Sequence, residues 1–352
     1  MNSFWSARIS NLTPYTPGEQ PRDRQFVKLN TNECPYPPSP RAVDAIRAAA
    51  GDSLRLYPDP ECAAPRAAIA RREGLDIQQV FCGNGSDEVL AFAFQAFFDP
   101  DRDVVFPRIT YSFYPVYTDF FGLRRREAPM NPDFSDPIDL LCGQNGGVVL
   151  ANPNAPTGIA VPRDTVERLL RANPDVVVIV DEAYVDFGAE SAVPLIGQYP
   201  NLLVVQTASK SRALAGLRTG WAMGQPHLIN ALRCVRDCIN SYTLDRPAQA
   251  GLAAAIEDED YFQSIRTRVT ATRERTANAL RQRNFLVLPS QANFLFIRHP
   301  ERAGRDLAGG LRDLGVLVRR WDRPEIQDWL RVSIGTDADM ETLLNALDSL
   351  IS

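Results

Sequence analysis

Val176-Val177-Val178-Ile179-Val180-Asp181-Glu182-Ala183-Tyr184 runs five branched aliphatic residues straight into two acids. Apolar residues at every position, rather than at every second one, mark a strand covered on both faces, as in a parallel sheet between helices. On either side, Val80–Cys82, Val104–Phe106, Gly147–Leu150, Leu202–Val205 and Trp221–Met223 repeat the pattern. Amphipathic stretches such as Arg163–Arg171 lie between most of them. The alternation predicts an α/β domain with a mostly parallel sheet over about residues 41–240. The basic run Arg124-Arg125-Arg126 is expected on a solvated strand edge.

The last third changes character. A long charged helix over Asp260–Arg283 precedes short apolar runs at Leu286–Pro289, Asn293–Ile297, Val316–Val318 and Leu330–Ile334. Helices are expected near Arg302–Leu314 and Ala338–Leu350, which makes residues 241–352 a smaller α+β domain. Residues 1–40, rich in Pro, Asn and Thr, read as an extended arm joining that smaller domain.

With 352 residues, 45% hydrophobic and 23% charged, the chain has the composition of a globular protein with a sizeable core. A net charge of -5 argues against nucleic acid or a polyanionic membrane surface as partner. Apolar runs such as Val176–Val180 are far too short to span a bilayer, and Met1–Trp5 does not read as a secretory signal. The six cysteines (34, 62, 82, 142, 234 and 238) have neither disulfide nor zinc spacing. Cys234 and Cys238 are expected as thiols on the buried face of a helix, and a reducing cytoplasm follows. Two histidines, His227 and His299, are too few for a multi-histidine metal site, and a Ser-His-Asp triad is improbable with them. Both are expected at the surface. An enzyme built from this chain has to find its base elsewhere, and a lysine with an organic cofactor is one solution.

Of the 38 Lys and Arg residues only two are lysine, Lys28 and Lys210. Arginine does not lose its proton at working pH, whereas lysine can become a neutral nucleophile. Lys210 stands in Thr207-Ala208-Ser209-Lys210-Ser211-Arg212, directly after the run Leu202–Val205. Scarcity alone is equally a matter of codon bias. Spacing adds to it: Asp181 and Lys210 are 29 residues apart, about one strand-helix-strand crossover, so both reach one mouth of the sheet. Ligands of such sheets sit beyond the carboxyl ends of the strands. A buried acid there needs a cation, and a pyridinium nitrogen qualifies; a helix cap or a magnesium ligand are the alternatives. Gly216-Leu217-Arg218 adds a fixed cation suited to phosphate. The turn Gly83-Asn84-Gly85-Ser86-Asp87-Glu88 opens a helix whose free N–H groups can hold an anion, with Ser86 as the expected N-cap. By itself it reads equally as an ordinary capped turn.

At this point the chain resembles a known family. Asn152-Pro153-Asn154-Ala155-Pro156-Thr157-Gly158, Asp181-Glu182-Ala183-Tyr184, Ser209-Lys210 and Gly216-Leu217-Arg218 occur in the order of the fold type I pyridoxal-phosphate aminotransferases. Asn11–Tyr15, Leu29–Glu33, Leu56–Asp59 and Leu330–Thr336 are similar to the histidinol-phosphate aminotransferases over nearly the whole chain. The resemblance implies pyridoxal 5'-phosphate held by Lys210 as a Schiff base. Asp181 would pair with its ring nitrogen and Tyr184 with its ring hydroxyl. Tyr111 would stack on the ring, while Ser86, Asp87, Ser209 and Arg218 hold the phosphate. Tyr57 would reach the cofactor of a neighbouring subunit, which implies a homodimer. Arg331, with Arg319 nearby, would grip the anionic group of the substrates, histidinol phosphate and glutamate or 2-oxoglutarate. Asn32 and Tyr15 are placed near the substrate by position. The family often has asparagine where this chain has Ala155, so Asn154 is expected to take over its bond to the ring hydroxyl. The nearest alternatives are an aromatic amino-acid aminotransferase and a phosphothreonine-type decarboxylase on the same scaffold.

Overall fold

Seven strands form the central sheet of the computed structural model, which describes residues 4–21 and 24–351. Residues 1–3 and 22–23 of the expected arm lie outside the described residues. In chain order the strands are β1 (Val27–Leu29), β2 (Val80–Gly83), β3 (Val104–Pro107), β4 (Arg125–Ala128), β5 (Gly147–Ala151) and β6 (Val178–Asp181). They continue with β7 (Leu202–Thr207), β8 (Gly220–Gly224), β9 (Leu286–Val287), β10 (Phe294–Arg298), β11 (Val316–Val318) and β12 (Leu330–Ser333).

The large sheet has the order β2-β8-β7-β6-β5-β3-β4. From β7 to β4 all neighbours pair in parallel, and β8 alone runs against both β7 and β2. The mostly parallel α/β fold expected from the continuous apolar runs is therefore present. Each run feeds two cores in alternation. Val178 and Val180 of β6, with Leu202 and Val204 of β7, face one apolar layer, and Ile179, Leu203 and Val205 face the other. Covering one such side chain contributes about 1.5–3 kcal/mol, which explains why neither face can be polar. Strand β4 forms the sheet edge with Arg125 and Arg126 exposed, as the basic run predicts.

Helix Arg246–Glu257 belongs by packing to this sheet, beyond residue 240. Asp245 caps it through a 2.7 Å bond from the Ala248 amide, and Ala248, Leu252, Ala255 and Ile256 join the β6 layer. Gly251 permits the approach, since a Cβ there would lie 2.6 Å from Ile46. In the C-terminal unit β10 pairs antiparallel with β9 and β12, and β1 pairs in parallel with β11, tying the N-terminal segment to that unit.

Two expectations fail. Cys234 and Cys238 are exposed, because helix Pro226–Ile239 buries the face carrying Leu228, Leu232 and Arg236 instead. His299 is buried, edge-on to Phe285 with ring centroids 5.0 Å apart, because it directly follows the core strand β10. No helix among the described residues is long and apolar enough to cross a membrane.

Candidate active site

Asp181 is the last residue of β6 and is buried. Tyr114 donates a 2.8 Å hydrogen bond to its Oδ2, and the Ala183 amide donates to Oδ1 at 3.2 Å. Burial pushes the carboxyl up to about 6, against the pull of these two bonds. No cation pairs with Asp181 among the described residues. A buried carboxylate in that condition is costly, and a cationic ligand would relieve it.

Next to β6, Asp181 is in register with Val205 of β7. Two residues past Thr207 the chain reaches Ser209, whose amide donates to Thr207 Oγ1 at 3.2 Å, and then Lys210. Because β8 returns antiparallel, the whole connection from Ala208 to Thr219 stays at the carboxyl edge of β7 and carries Lys210 and Arg218 together. Lys210 Nζ donates to the Thr31 carbonyl at 3.2 Å and lies 5.8 Å from the Tyr184 ring centroid.

The anion end is built by helix Gly85–Phe97 and β8. Ser86 lies within the first turn, so it is not the cap; Asn84 takes that position without a side-chain capping bond, its Nδ2 donating to the Thr243 carbonyl at 3.3 Å. The Asn84 amide donates instead to Glu88 Oε2 at 2.6 Å. Two glycines bring the parts together. Gly85, at φ +82, would aim a Cβ to 2.6 Å from Arg218 Nη2, and a Cβ on Gly220 would lie 2.3 Å from the Ser86 amide nitrogen. Amides of the first helical turn have no partner within the helix and face this cradle as donors. Asp87 accepts from Tyr111 Oη at 2.7 Å and meets Arg218 Nη2 at 3.1 Å. Burial, and then the Asp87 charge, hold the Tyr111 phenol well above its usual range, so it remains a donor.

At the opposite end Arg331 Nη2 donates to the Asn30 carbonyl at 2.9 Å, while its Nε is buried without a partner. Its guanidinium lies over Phe294 and Trp321, at 5.4 and 5.2 Å. Arg319 donates to the carbonyls of Thr16 and Pro17 at 3.0 and 3.2 Å, which lays the N-terminal segment across the site. Tyr15 stacks on Phe113 at 4.5 Å.

These groups share one cavity of about 420 Å³. The residues expected at this chain's own site line it, with one exception. Asn154 is buried, but its amide donates to the Ile109 carbonyl at 2.9 Å and to Thr157 Oγ1 at 3.2 Å, and Ala155 rather than Asn154 forms the wall. Tyr57, expected at a neighbouring subunit's cofactor rather than in this cavity, is 77% exposed and stacks on Tyr242 at 4.6 Å. Sequence reading missed Tyr114. Its place one helical turn after Tyr111 carries no signal that its hydroxyl reaches back under β6. It also passed over Lys28, which pairs with Glu33 at 2.7 Å on the cavity rim. Burial works upward on the Glu33 carboxyl, but Lys28 and Thr31 outweigh it and hold the group below its usual value.

Comparison with known proteins agrees with this geometry. Residues 24–347 match the family profile "Aminotransferase class I and II". Histidinol-phosphate aminotransferase of Aromatoleum aromaticum is 53% identical over 355 residues, covering 100% of both chains. Histidinol-phosphate aminotransferase 1 of Bradyrhizobium diazoefficiens is 54% identical, again over 100% of both. Among solved structures, histidinol-phosphate aminotransferase from Sinorhizobium meliloti, in complex with pyridoxal-5'-phosphate, superposes with TM-score 0.90 at 26% identity, covering 99% of this chain and 98% of that one. A tetra mutant of Thermus thermophilus aspartate aminotransferase shares the fold, with TM-score 0.82 at 21% identity and coverage of 98% and 99%. On the profile match and on relatives more than half identical along the whole chain, this protein belongs to the aminotransferase class I and II family and, within it, to the histidinol-phosphate aminotransferases.

Proposed function

We propose that the chain is a pyridoxal 5'-phosphate-dependent transaminase that moves the amino group of L-histidinol phosphate to 2-oxoglutarate, giving imidazole acetol phosphate and glutamate in histidine biosynthesis. The observation that carries the reading is that Asp181, buried and without a cation, and Lys210 follow adjacent parallel strands to one cavity. The donor set fits the cofactor. Asp181 would meet the ring nitrogen, and the glycine-lined cradle beside the Ser86 amide and Arg218 would accept the phosphate.

In this reading Asp181 would hold the ring nitrogen, Tyr184 the ring oxygen and Tyr111 the ring face. The Ser86 and Asp87 amides, Ser209 and Arg218 would hold the phosphate. When bound, the cofactor supplies an electron sink for the substrate carbon. Lys210 takes a proton from that carbon as general base and returns it as general acid, a contribution of about 10²–10⁴-fold in rate. Its hydrogen bond to the Thr31 carbonyl keeps the amine aimed at the cavity. Arg331 and Arg319 receive the anionic end of either substrate, because guanidinium suits phosphate and carboxylate alike. Arg319 holds the Thr16–Pro17 segment on the substrate side, where Tyr15, Gly18 and Gln20 line the cavity and cover part of it.

The same reading places the enzyme in the cytoplasm as a homodimer. Six free cysteines are consistent with a reducing compartment. Tyr57 is exposed beside exposed Leu54 and Leu56, an apolar face suited to a second copy whose site Tyr57 would reach. The test is a panel of histidinol phosphate, phenylalanine, tyrosine and phosphothreonine, each with 2-oxoglutarate. Glutamate formation with a kcat/KM highest for histidinol phosphate supports the proposal. Preference for an aromatic amino acid, or release of carbon dioxide from phosphothreonine, would replace it.

A further inference from the structure

Tyr184 is held by a network that comes from outside its own unit. Asn32, just after β1, sits at φ +56 and is 1% exposed. Its amide N–H donates to Ser333 Oγ at 2.8 Å, and the Ser333 hydroxyl donates back to Asn32 Oδ1 at 2.9 Å. Asn293 Nδ2 donates to the Asn32 carbonyl at 3.0 Å. Ser333 ends β12, and Asn293 directly precedes β10. With Ser333 donating to Oδ1, the Asn32 side chain turns its Nδ2 to Tyr184 Oη and donates to it at 2.9 Å. The hydroxyl oxygen of Tyr184 accepts this bond, and its own O–H remains to be donated into the cavity that Tyr184 lines.

The neighbouring wall offers no substitute. Ala155 packs in the same apolar cluster as Tyr184 and, with Pro153, presents no side-chain donor there. Asn154 is committed to Ile109 and Thr157. We infer that Asn32 is a positioning residue: it fixes and polarises the Tyr184 hydroxyl as the donor for a phenolate-type oxygen of the ligand, and it ties that donor to Ser333 and Asn293 of the C-terminal unit. A donor that itself accepts a hydrogen bond is the stronger for it. The inference rests on the proposed cofactor, whose ring oxygen is such an acceptor.

The test reads the cofactor-loaded enzyme by spectroscopy rather than by turnover. A donor to the ring oxygen favours its anionic form, so weakening the donor raises the pH midpoint of the visible absorbance band. Asn32→Gly tolerates the left-handed backbone and removes the amide, and Asn32→Asp keeps the shape and the Ser333 bond while replacing the Nδ2 donor by an acceptor. Asn32→Gly is expected to raise the midpoint by roughly half a unit or more, and Tyr184→Phe by at least as much. The double variant should sit where Tyr184→Phe sits, because the two changes act on one donor. An unchanged midpoint in Asn32→Gly, or an equal shift in the Tyr184→Phe background, overturns the inference. If the glycine variant does not fold, the aspartate variant is read in the same cycle, with its shift required to shrink in the Tyr184→Phe background. Failure of the parent enzyme to develop any visible band contradicts the cofactor reading itself, which separates the two outcomes.

Discussion

Tyr114 donates its hydroxyl to Asp181 Oδ2 at 2.8 Å, joining the helix after β3 to the carboxylate at the end of β6. Both groups are buried. Burial and then the Asp181 charge keep the phenol far above its usual range, so the proton stays on Tyr114. The bond favours the ionised form of Asp181, which is the form that can hold a ring cation.

Tyr114→Phe removes this donor and leaves the packing nearly intact. A hydrogen bond to a charged group contributes about 1.5–3 kcal/mol, so cofactor retention should weaken by roughly tenfold or more. An absorbance titration of cofactor into the variant measures it. An unchanged Kd would mean that Asp181 does not depend on Tyr114.

Arg331→Ala takes away a guanidinium whose Nε is buried without a partner. Because the same arginines serve both substrates in this account, KM should rise by about tenfold or more for histidinol phosphate and for glutamate together. A rise for one alone would show that the two anions are held by different groups.

Asp136 is buried, and neither of its carboxyl oxygens has a hydrogen-bond partner. Burial raises it to about 8. The folded pKa lies above the unfolded one, so its contribution to stability is complete below about pH 4 and is lost as pH rises through 8. Asp136→Asn should flatten that fall and stabilise the protein at pH 9 by on the order of 1–3 kcal/mol. Buried Asp181 and Glu182, raised to about 6 and 7, act with the same sign over a lower range and should leave a residual slope there. Denaturant unfolding across this range measures it, and an unchanged slope above pH 7 would count against the assignment.

The strand-rich core was legible because its signal is local: five apolar residues in a row before Asp181 state a two-sided burial. The Asp181–Lys210 pairing was legible for the same reason, since one crossover fixes which strand ends are neighbours. What the sequence did not carry depends on side-chain direction over long separations. Asn154 and Ala155 differ by one position, and only the backbone of their loop decides which faces the cavity. Asn32 contacts Tyr184 across 152 positions and Ser333 across 301, and no periodicity reports such contacts. The buried face of helix Pro226–Ile239 was misassigned because Cys234 and Cys238 share a face that is not the one carrying Leu228 and Leu232.

Lys210 carries the central claim, and reduction with borohydride tests it most directly. Protein loaded with pyridoxal 5'-phosphate, reduced and digested should carry the cofactor's added mass on the peptide containing Lys210, and Lys210→Ala should lose that label, the visible band and turnover together. Label on Lys28 instead, or full turnover in Lys210→Ala, would contradict the account.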